Sequence, residues 1–272
     1  MTTDAPIDVD VLRDEIRKTY TDVSTDQDQE FIFPTGRSWA VELGYPEPEL
    51  SRVPDSVVES FAGVANHWIL GRADPGAVIL DLGCGAGTDL LIAAQMAGPD
   101  GRAIGVDMTE AMLDRARASA VEMGLGNVEL QESLIESLTV EDASVDAVTS
   151  NCVINLVPDK GAVFAEAARV LRAGGRLVIS DIVLDGALPP AVEKDVMAYV
   201  GCISGAAQRA DYFRLVREAG LGAIEILRDV DYVAAMQQVA PDEVAALLDR
   251  AGARLEDVAG KVRSVTFRAV KA

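Results

Sequence analysis

The 272-residue chain is 49% hydrophobic, enough to bury a large core in one α/β domain with additions rather than two equal domains. Its 44 acidic and 24 basic residues leave a formal charge of −20, which repels phosphate backbones and anionic bilayers and argues against nucleic acid and membrane as partners. No charged-then-apolar leader, no apolar run of the roughly 18–20 residues a membrane span needs, and only three scattered cysteines lead us to expect a cytoplasmic protein with reduced thiols, monomer or homodimer.

Residues 8–28 are polar and charged with apolar punctuation at Val11, Ile16 and Tyr20, which predicts a short helix followed by a mobile acidic stretch that a ligand would order. Residues 31–68 combine the turn formers Pro34, Gly36, Gly44, Pro46, Pro48 and Pro54 with Phe31, Phe33, Trp39, Tyr45, Phe61 and Trp68. They read as a helical cap packed on a main domain. From Ala77 short apolar runs alternate with amphipathic segments. Strands are expected at 78–82, 102–106, 128–131, 147–149 and 176–182, and helices start near Thr88, Thr109 and Lys160. That alternation predicts βαβ units and a parallel sheet. Gly174 and Gly175 are expected to end the third of these helices as a left-handed cap. A loop through Pro189 and Pro190, a helix containing Met197 to Val200, a helix over 211–219, strands at 223–227 and 264–269, and a helix opening at Pro241 complete the reading. The organisation expected is an arm and cap over 1–74 and a catalytic domain with C-terminal additions over 75–272.

The most informative segment is Val78 to Asp89, an apolar strand running into Gly83-Cys84-Gly85-Ala86-Gly87 and then a helix. Glycines let backbone take positive φ and approach a ligand without a Cβ, and the helix end offers unpaired N–H donors. Asp81, at the strand end, is placed to accept a hydrogen bond from a ligand ammonium. A glycine turn alone also serves plain loop closure. Here an acidic residue, Asp107, ends the next strand about 20 residues beyond the turn, where a carboxylate takes both ribose hydroxyls of a nucleoside. The spacing is G-x-G-x-G, not the G-x-G-x-x-G of pyrophosphate-binding dinucleotide sites.

This segment resembles the first motif of class I methyltransferases, and the likeness extends through Asp107 and Met108, Leu134-Ile135-Glu136, and Val170 to Leu177. The resemblance implies a Rossmann-like fold, a mostly parallel central sheet with helices on both faces plus the N-terminal cap, and S-adenosylmethionine as cofactor. It places Asp81, Gly83, Cys84, Gly85, Gly87, Asp107 and Met108 at the cofactor, Ile135 and Glu136 beside the adenine, and Asn151 near the methionine end. A solvated surface carboxylate is the alternative for Glu136.

Ser150-Asn151-Cys152 to Lys160 follows a strand, at the carboxyl edge where ligands of open α/β sheets sit. A second cysteine, Cys202, is flanked by small residues in Val200-Gly201-Cys202-Ile203-Ser204-Gly205-Ala206. Taken alone, both cysteines read as small buried hydrophobes. Together with Pro34-Thr35-Gly36-Arg37, Leu43-Gly44-Tyr45 and Asp181-Ile182-Val183, the two runs resemble the bacterial arsenite methyltransferase family. The resemblance implies trivalent arsenic as substrate, Cys152 and Cys202 as its thiolate ligands, and a thiol reductant as partner, with no metal cofactor. Soft thiolates suit soft arsenic, and a lone-pair attack on a methyl group needs no general base, which fits a chain with one histidine. That residue, His67, reads as a cap or packing residue. Many relatives carry a further cysteine where this chain has Val64, which implies a two-thiolate site that leaves one arsenic valence for a methyl group or an exogenous thiol. Cys84, inside the cofactor turn, is given a structural role. The rival readings are a methyltransferase of a small organic acceptor, for which Tyr20, Tyr45, Glu59 and His67 are the available acids and bases, and a non-catalytic metalloid-binding protein on the same fold.

Overall fold

The computed structural model describes residues 9–25, 34–70, 73–193 and 203–272. Helix α1 spans Val9–Thr25. Its inward stripe is Leu12, Ile16 and Tyr20, at the four-residue spacing that stacks side chains on one helical face. Val11, expected on that face, is 58% exposed. The helix is therefore longer than the sequence pattern suggested. The cap follows in short turns, α2 (Gly36–Glu42), α3 (Glu47–Leu50), α4 (Asp55–Val58) and a 3₁₀ turn (His67–Leu70). The prolines explain the brevity: Pro46 and Pro54 stand at the helix entrances, where a missing N–H is harmless.

The main body alternates as expected: β1 (Val78–Leu82), α5 (Thr88–Ala97), β2 (Arg102–Asp107), α6 (Glu110–Glu122), β3 (Val128–Glu132), β4 (Val145–Asn151), α7 (Lys160–Val170) and β5 (Leu171–Leu184). There follow α8 (Pro190–Glu193), α9 (Arg209–Glu218), β6 (Leu221–Asp231), α10 (Tyr232–Val239), α11 (Pro241–Ala251), α12 (Leu255–Val258) and β7 (Val262–Lys271). The strand order is β3-β2-β1-β4-β5-β7-β6. β1 to β5 are parallel and β7 is inserted antiparallel between β5 and β6. The chain winds outward from β1 to β3 and then returns to the other side at β4. That reversal leaves a crevice at the carboxyl ends of β1 and β4.

Two apolar clusters fill the two faces of the sheet. On one, α5 is buried on nearly every side between the strands, α6 and the cap, and Trp39, Leu50 and Val57 of the cap join the same cluster as Ile79 and Leu91. On the other, Phe164, Tyr212, Phe213 and Phe267 meet edge to face. Such ring pairs add about 0.5–1.5 kcal/mol each beyond area burial.

One expected boundary is wrong. Helix α7 stops at Val170, not at Gly174, because Leu171 is fully buried and pairs with Val145 of β4. The helix carbonyls of Arg169 and Val170 accept from the N–H groups of Ala143 and Ser144. The end is thus satisfied without a glycine cap. Gly174, at φ 75°, instead forms the irregularity where β5 slips its register on β4 before Arg176. The helix expected around Met197 lies outside the described residues. No helix of the described residues is long and apolar enough to cross a membrane.

Asp181 of β5 is fully buried; its Oδ1 accepts from Asn155 Nδ2 at 2.7 Å and its Oδ2 from the Tyr212 hydroxyl at 2.8 Å. Burial pushes its pKa up to about 7, against the lowering effect of the Tyr212 and Ile182 hydrogen bonds. Because the folded value lies above the unfolded one of about 3.9, its stabilising contribution is complete below that lower value and is lost as pH rises through 7. Melting curves of wild type and Asp181→Asn measured from pH 4 to 8 should therefore diverge, with the variant gaining on the wild type as pH increases. Parallel pH profiles would show that Asp181 does not titrate in this range.

Candidate functional site

The turn after β1 closes over three glycines in left-handed backbone, Gly83 at φ 65°, Gly85 at 52° and Gly87 at 102°. L-residues with a Cβ adopt this region at a cost of about 1–2 kcal/mol. At Gly83 space is short as well, since an added Cβ would run into the Val153 isopropyl group. The turn is pinned to β2 by Cys84 N–H donating to Val106 O at 3.0 Å and Gly85 N–H donating to Asp107 Oδ2 at 2.9 Å. The other oxygen of Asp107 accepts from Thr109 N–H at 2.9 Å. Burial raises the Asp107 pKa, and these backbone bonds work against the rise. Asp107 is thus fixed at the rim of the turn with its carboxylate orientation set by main chain.

A cleft opens beside this turn at the crevice between β1 and β4. Its walls include Asp81, Gly83 to Asp89, Asp107 to Thr109, Ser133 to Glu136 and Asn151 to Val153, with Ser60 to Gly63 of the cap opposite. The structure therefore brings together every cofactor residue expected from the sequence, and Cys152 with them. Cys202 lies outside the described residues. No group of three or more metal-ligating side chains occurs among the described residues.

The expected residues differ in what their polar atoms do. Asp81 is buried and accepts the Thr149 hydroxyl at 2.8 Å; burial first, then the negative charge of Asp89, pushes its pKa well up. Asn151 binds the cap: its Nδ2 donates to Tyr45 Oη at 2.9 Å and Ala65 O at 2.8 Å, and its Oδ1 accepts from Val64 N–H at 2.9 Å. Glu136 is not a solvated surface group. It is largely buried and takes Arg13 Nη2 of α1 at 2.8 Å. Ile135 is buried beside it, while Met108 faces the cleft next to Asp107. The Cys84 thiol points to its neighbour's carbonyl, Gly85 O, and burial raises its pKa well above the ordinary thiol value. It is an unreactive packing thiol.

Cys152 is in left-handed backbone at φ 61°, an uncommon state for a residue with a side chain. Its N–H still donates to Ser180 O at 2.9 Å, completing the β4 ladder. The kink turns the chain so that Val153 packs on Gly83 while Cys152 itself, buried, faces the cleft. Strain of this kind accumulates where function fixes a side chain.

Sequence reasoning placed neither α1 nor Asp89 at the cleft. Arg13, Ile16 and Tyr20 of α1 line the cleft, and only their helical spacing with Leu12 signals it. Asp89, in the first turn of α5, also lines the cleft and accepts from Trp68 Nε1 at 2.8 Å and Tyr45 Oη at 3.0 Å. His67, buried behind Asp89, is not among the cleft residues. Its Nε2 lies 3.4 Å from Asp89 Oδ1, yet among the described residues neither ring nitrogen has a hydrogen-bond partner, so the approach is close but misdirected. Burial lowers its pKa, outweighing the attraction of Asp89.

A nucleoside carrying an amino acid fits this donor set: a backbone-clamped carboxylate for ribose, a Cβ-free turn for close approach, and acidic side chains where an ammonium needs them. The sheet order with its antiparallel β7, and this turn at its crevice, define a class I methyltransferase. The methyltransferase-domain family model matches residues 73–220. An arsenite methyltransferase of Halobacterium salinarum is 42% identical over 192 residues, 71% of this chain and 49% of that one. An arsenite methyltransferase of Aquipseudomonas alcaligenes is 39% identical over 161 residues, 57% of this chain and 46% of that one. This chain thus spans about half the length of these curated relatives. The crystal structure of an arsenic(III) S-adenosylmethionine methyltransferase from Chlamydomonas reinhardtii superposes with a TM-score of 0.69 at 33% identity, covering 83% of this chain and 73% of that one. The chain belongs to the arsenite methyltransferase family. Its cofactor is S-adenosylmethionine.

Gly83 and Gly44 separate backbone strain from ligand access. Both have positive φ, but an added Cβ at Gly44 meets nothing within 4 Å. Gly44→Ala is expected to destabilise by about 1–2 kcal/mol and leave cofactor affinity unchanged. Gly83→Ala, displacing Val153 from the turn, should lower melting temperature further and weaken cofactor binding by more than about tenfold, as read by calorimetric titration. Equal affinity in the two variants would disprove the close-approach role of Gly83.

Proposed function

We propose that this protein transfers a methyl group from S-adenosylmethionine to trivalent arsenic bound by the thiolates of Cys152 and Cys202, in the service of arsenic detoxification. The observation that carries the reading is the buried Cys152 on the cleft wall, in strained backbone one residue from the Val153 that packs on the glycine turn. A cysteine in that position is chemically matched to a soft, thiophilic acceptor. The identity of the arsenite methyltransferase relatives supports the same acceptor.

The bound cofactor supplies an electrophilic methyl group on a sulfonium. The protein's own contribution is placement. Asp107 and the turn fix the nucleoside, Ile135 and the Arg13–Glu136 pair close one wall, and Cys152 with Cys202 holds the acceptor in reach. The arsenic lone pair forms the new As–C bond while the S–C bond breaks with its electrons left on sulfur. No proton moves, so no general base is needed, and rate comes from positioning and exclusion of water. Formation of that bond leaves arsenic formally pentavalent, and two exogenous thiols, oxidised to a disulfide, return it to the trivalent state.

Val64 bears on substrate preference. It is buried, its N–H is tied to Asn151 and its carbonyl to the Ser264 hydroxyl, so its segment is fastened at the end of β4 without offering a third thiol. Two thiolates leave one arsenic valence for a substituent, and methylarsenite is accepted at least as well as arsenite. Incubation of the protein with S-adenosylmethionine, a monothiol and either species, followed by mass detection of methylated arsenic, should give products from both with methylarsenite at least as fast. Faster turnover of inorganic arsenite would overturn the preference. Cys152→Ser should abolish arsenic methylation while S-adenosylmethionine binding persists; full activity in that variant would overturn the two-thiolate mechanism, whereas no arsenic product from wild type that binds S-adenosylmethionine would favour an organic acceptor.

A further inference from the structure

The cleft contains more negative charge than the sequence motif accounts for. Asp81, Asp89 and Asp107 all line it, and among the described residues lining it Arg13 is the one cationic side chain, engaged with Glu136. Asp89 is 7% exposed, and its partners are neutral donors: Trp68 Nε1 at 2.8 Å on one oxygen, Tyr45 Oη at 3.0 Å and Asn151 Nδ2 at 3.4 Å on the other. It also sits in the first turn of the ten-residue helix α5, where the helix dipole favours a negative group. These donors orient a carboxylate without cancelling its charge.

A second observation points the same way. His67 is 1% exposed, its Nε2 lies 3.4 Å from Asp89 Oδ1 without forming a hydrogen bond, and among the described residues neither ring nitrogen has a hydrogen-bond partner. The nearest basic group to Asp89 is thus held as a neutral imidazole by burial. Asp81 is the other acidic group close by. Its pKa is raised by burial and by the charge of Asp89, and a single side chain, Thr149, donates to it. Among the described residues Asp89 takes three side-chain donors, at 2.8, 3.0 and 3.4 Å, where Asp81 takes one at 2.8 Å.

We propose that Asp89 is the cofactor-binding carboxylate that receives the ammonium of the methionine end, and that Tyr45 and Trp68 of the cap are its positioning residues. This reassigns to Asp89 the role that position in the motif had suggested for Asp81. It also makes the cap a part of the cofactor site: the two aromatic donors reach Asp89 from outside the sheet, so cofactor affinity depends on how the cap is seated. Asn151 donates to the Tyr45 hydroxyl, and His67 packs against Trp68. The inference rests on the assignment of the cleft to S-adenosylmethionine.

Binding alone tests it, with no turnover needed. The ligands are S-adenosylhomocysteine and its 2-oxo analogue, in which a carbonyl replaces the amino group and the carboxylate is retained. Affinities of the full-length protein are measured by calorimetric titration. A hydrogen bond to a charged group is worth about tenfold or more in affinity. Asp89→Asn should therefore weaken S-adenosylhomocysteine by about tenfold or more and leave the 2-oxo analogue within about twofold of wild type. Tyr45→Phe and Trp68→Phe, which keep the aromatic packing and remove one donor each, should show the same selective loss at smaller size. They carry the test if Asp89→Asn fails to fold. Equal losses for the two ligands would make Asp89 a structural anchor of the cap and overturn the proposal. So would a selective loss in Asp81→Asn with none in Asp89→Asn. A wild type that binds neither ligand would bring down the cofactor assignment itself, and the proposal with it.

Discussion

The side-chain amide of Asn151 holds together parts of the molecule that are far apart in sequence. It leaves the end of β4 and meets Tyr45, Ala65 and Val64 of the cap, and lies 3.4 Å from Asp89 on α5. Gly63, packed against it, leaves no room for a Cβ. Hydrogen bonds in such a buried, low-dielectric knot strengthen one another, and an unpaired member is expensive. The sheet end, the first turn of the helix after the glycine loop, and the cap therefore have one shared solution. Loss of the amide would take the acceptor from Val64 N–H and one donor each from Ala65 O, Tyr45 and Asp89.

The same logic explains why the cleft wall is built from strained backbone. Three left-handed glycines and a left-handed Cys152 line the cleft, and Val153 packs on the first of those glycines, Gly83. None of these conformations is favoured locally. They persist because the flanking strands are locked: β1 is paired on both sides, to β2 and β4, and the Cys152 N–H continues the β4 ladder onto β5. Strain at the site is sustained by regular structure around it, and a rigid frame is what the proposed in-line methyl transfer, with its lack of proton transfer, needs.

The sheet was legible because its signals are local. An apolar strand, three glycines and a second strand ending in Asp107 lie within one βαβ unit, and the backbone clamp on Asp107 by Gly85 and Thr109 follows from that proximity. The cap-to-sheet contacts were not legible, because they join residues with no common periodicity: Tyr45 to Asp89, Trp68 to Asp89, Arg13 to Glu136. Asp89 in particular reads in sequence as an ordinary helix-start acid, and only burial shows it to be something else. Val11 was misplaced because a polar helix offers several weak apolar stripes and packing on α6 chose Leu12-Ile16-Tyr20. The end of α7 was misplaced for a related reason. A tertiary contact of Leu171 outcompeted the local preference of Gly174, as tertiary context commonly does over propensity.

Charge adds a constraint that neither fold nor motif states. The chain is strongly acidic overall, and among the described residues its cleft gathers three aspartates and one arginine, which is engaged with Glu136. Low-dielectric walls concentrate such a field. A cofactor that carries both a sulfonium and an ammonium is drawn in by it. The proposed acceptor enters as an uncharged trivalent species, which the field neither attracts nor repels. Pentavalent arsenic oxyanions, and the phosphate they resemble, carry full negative charge at neutral pH, which a field of this sign opposes. Under the proposed reading, thiolate ligation selects arsenic for softness while the acidic cleft selects the trivalent state for charge, two filters that act on different properties of the same atom.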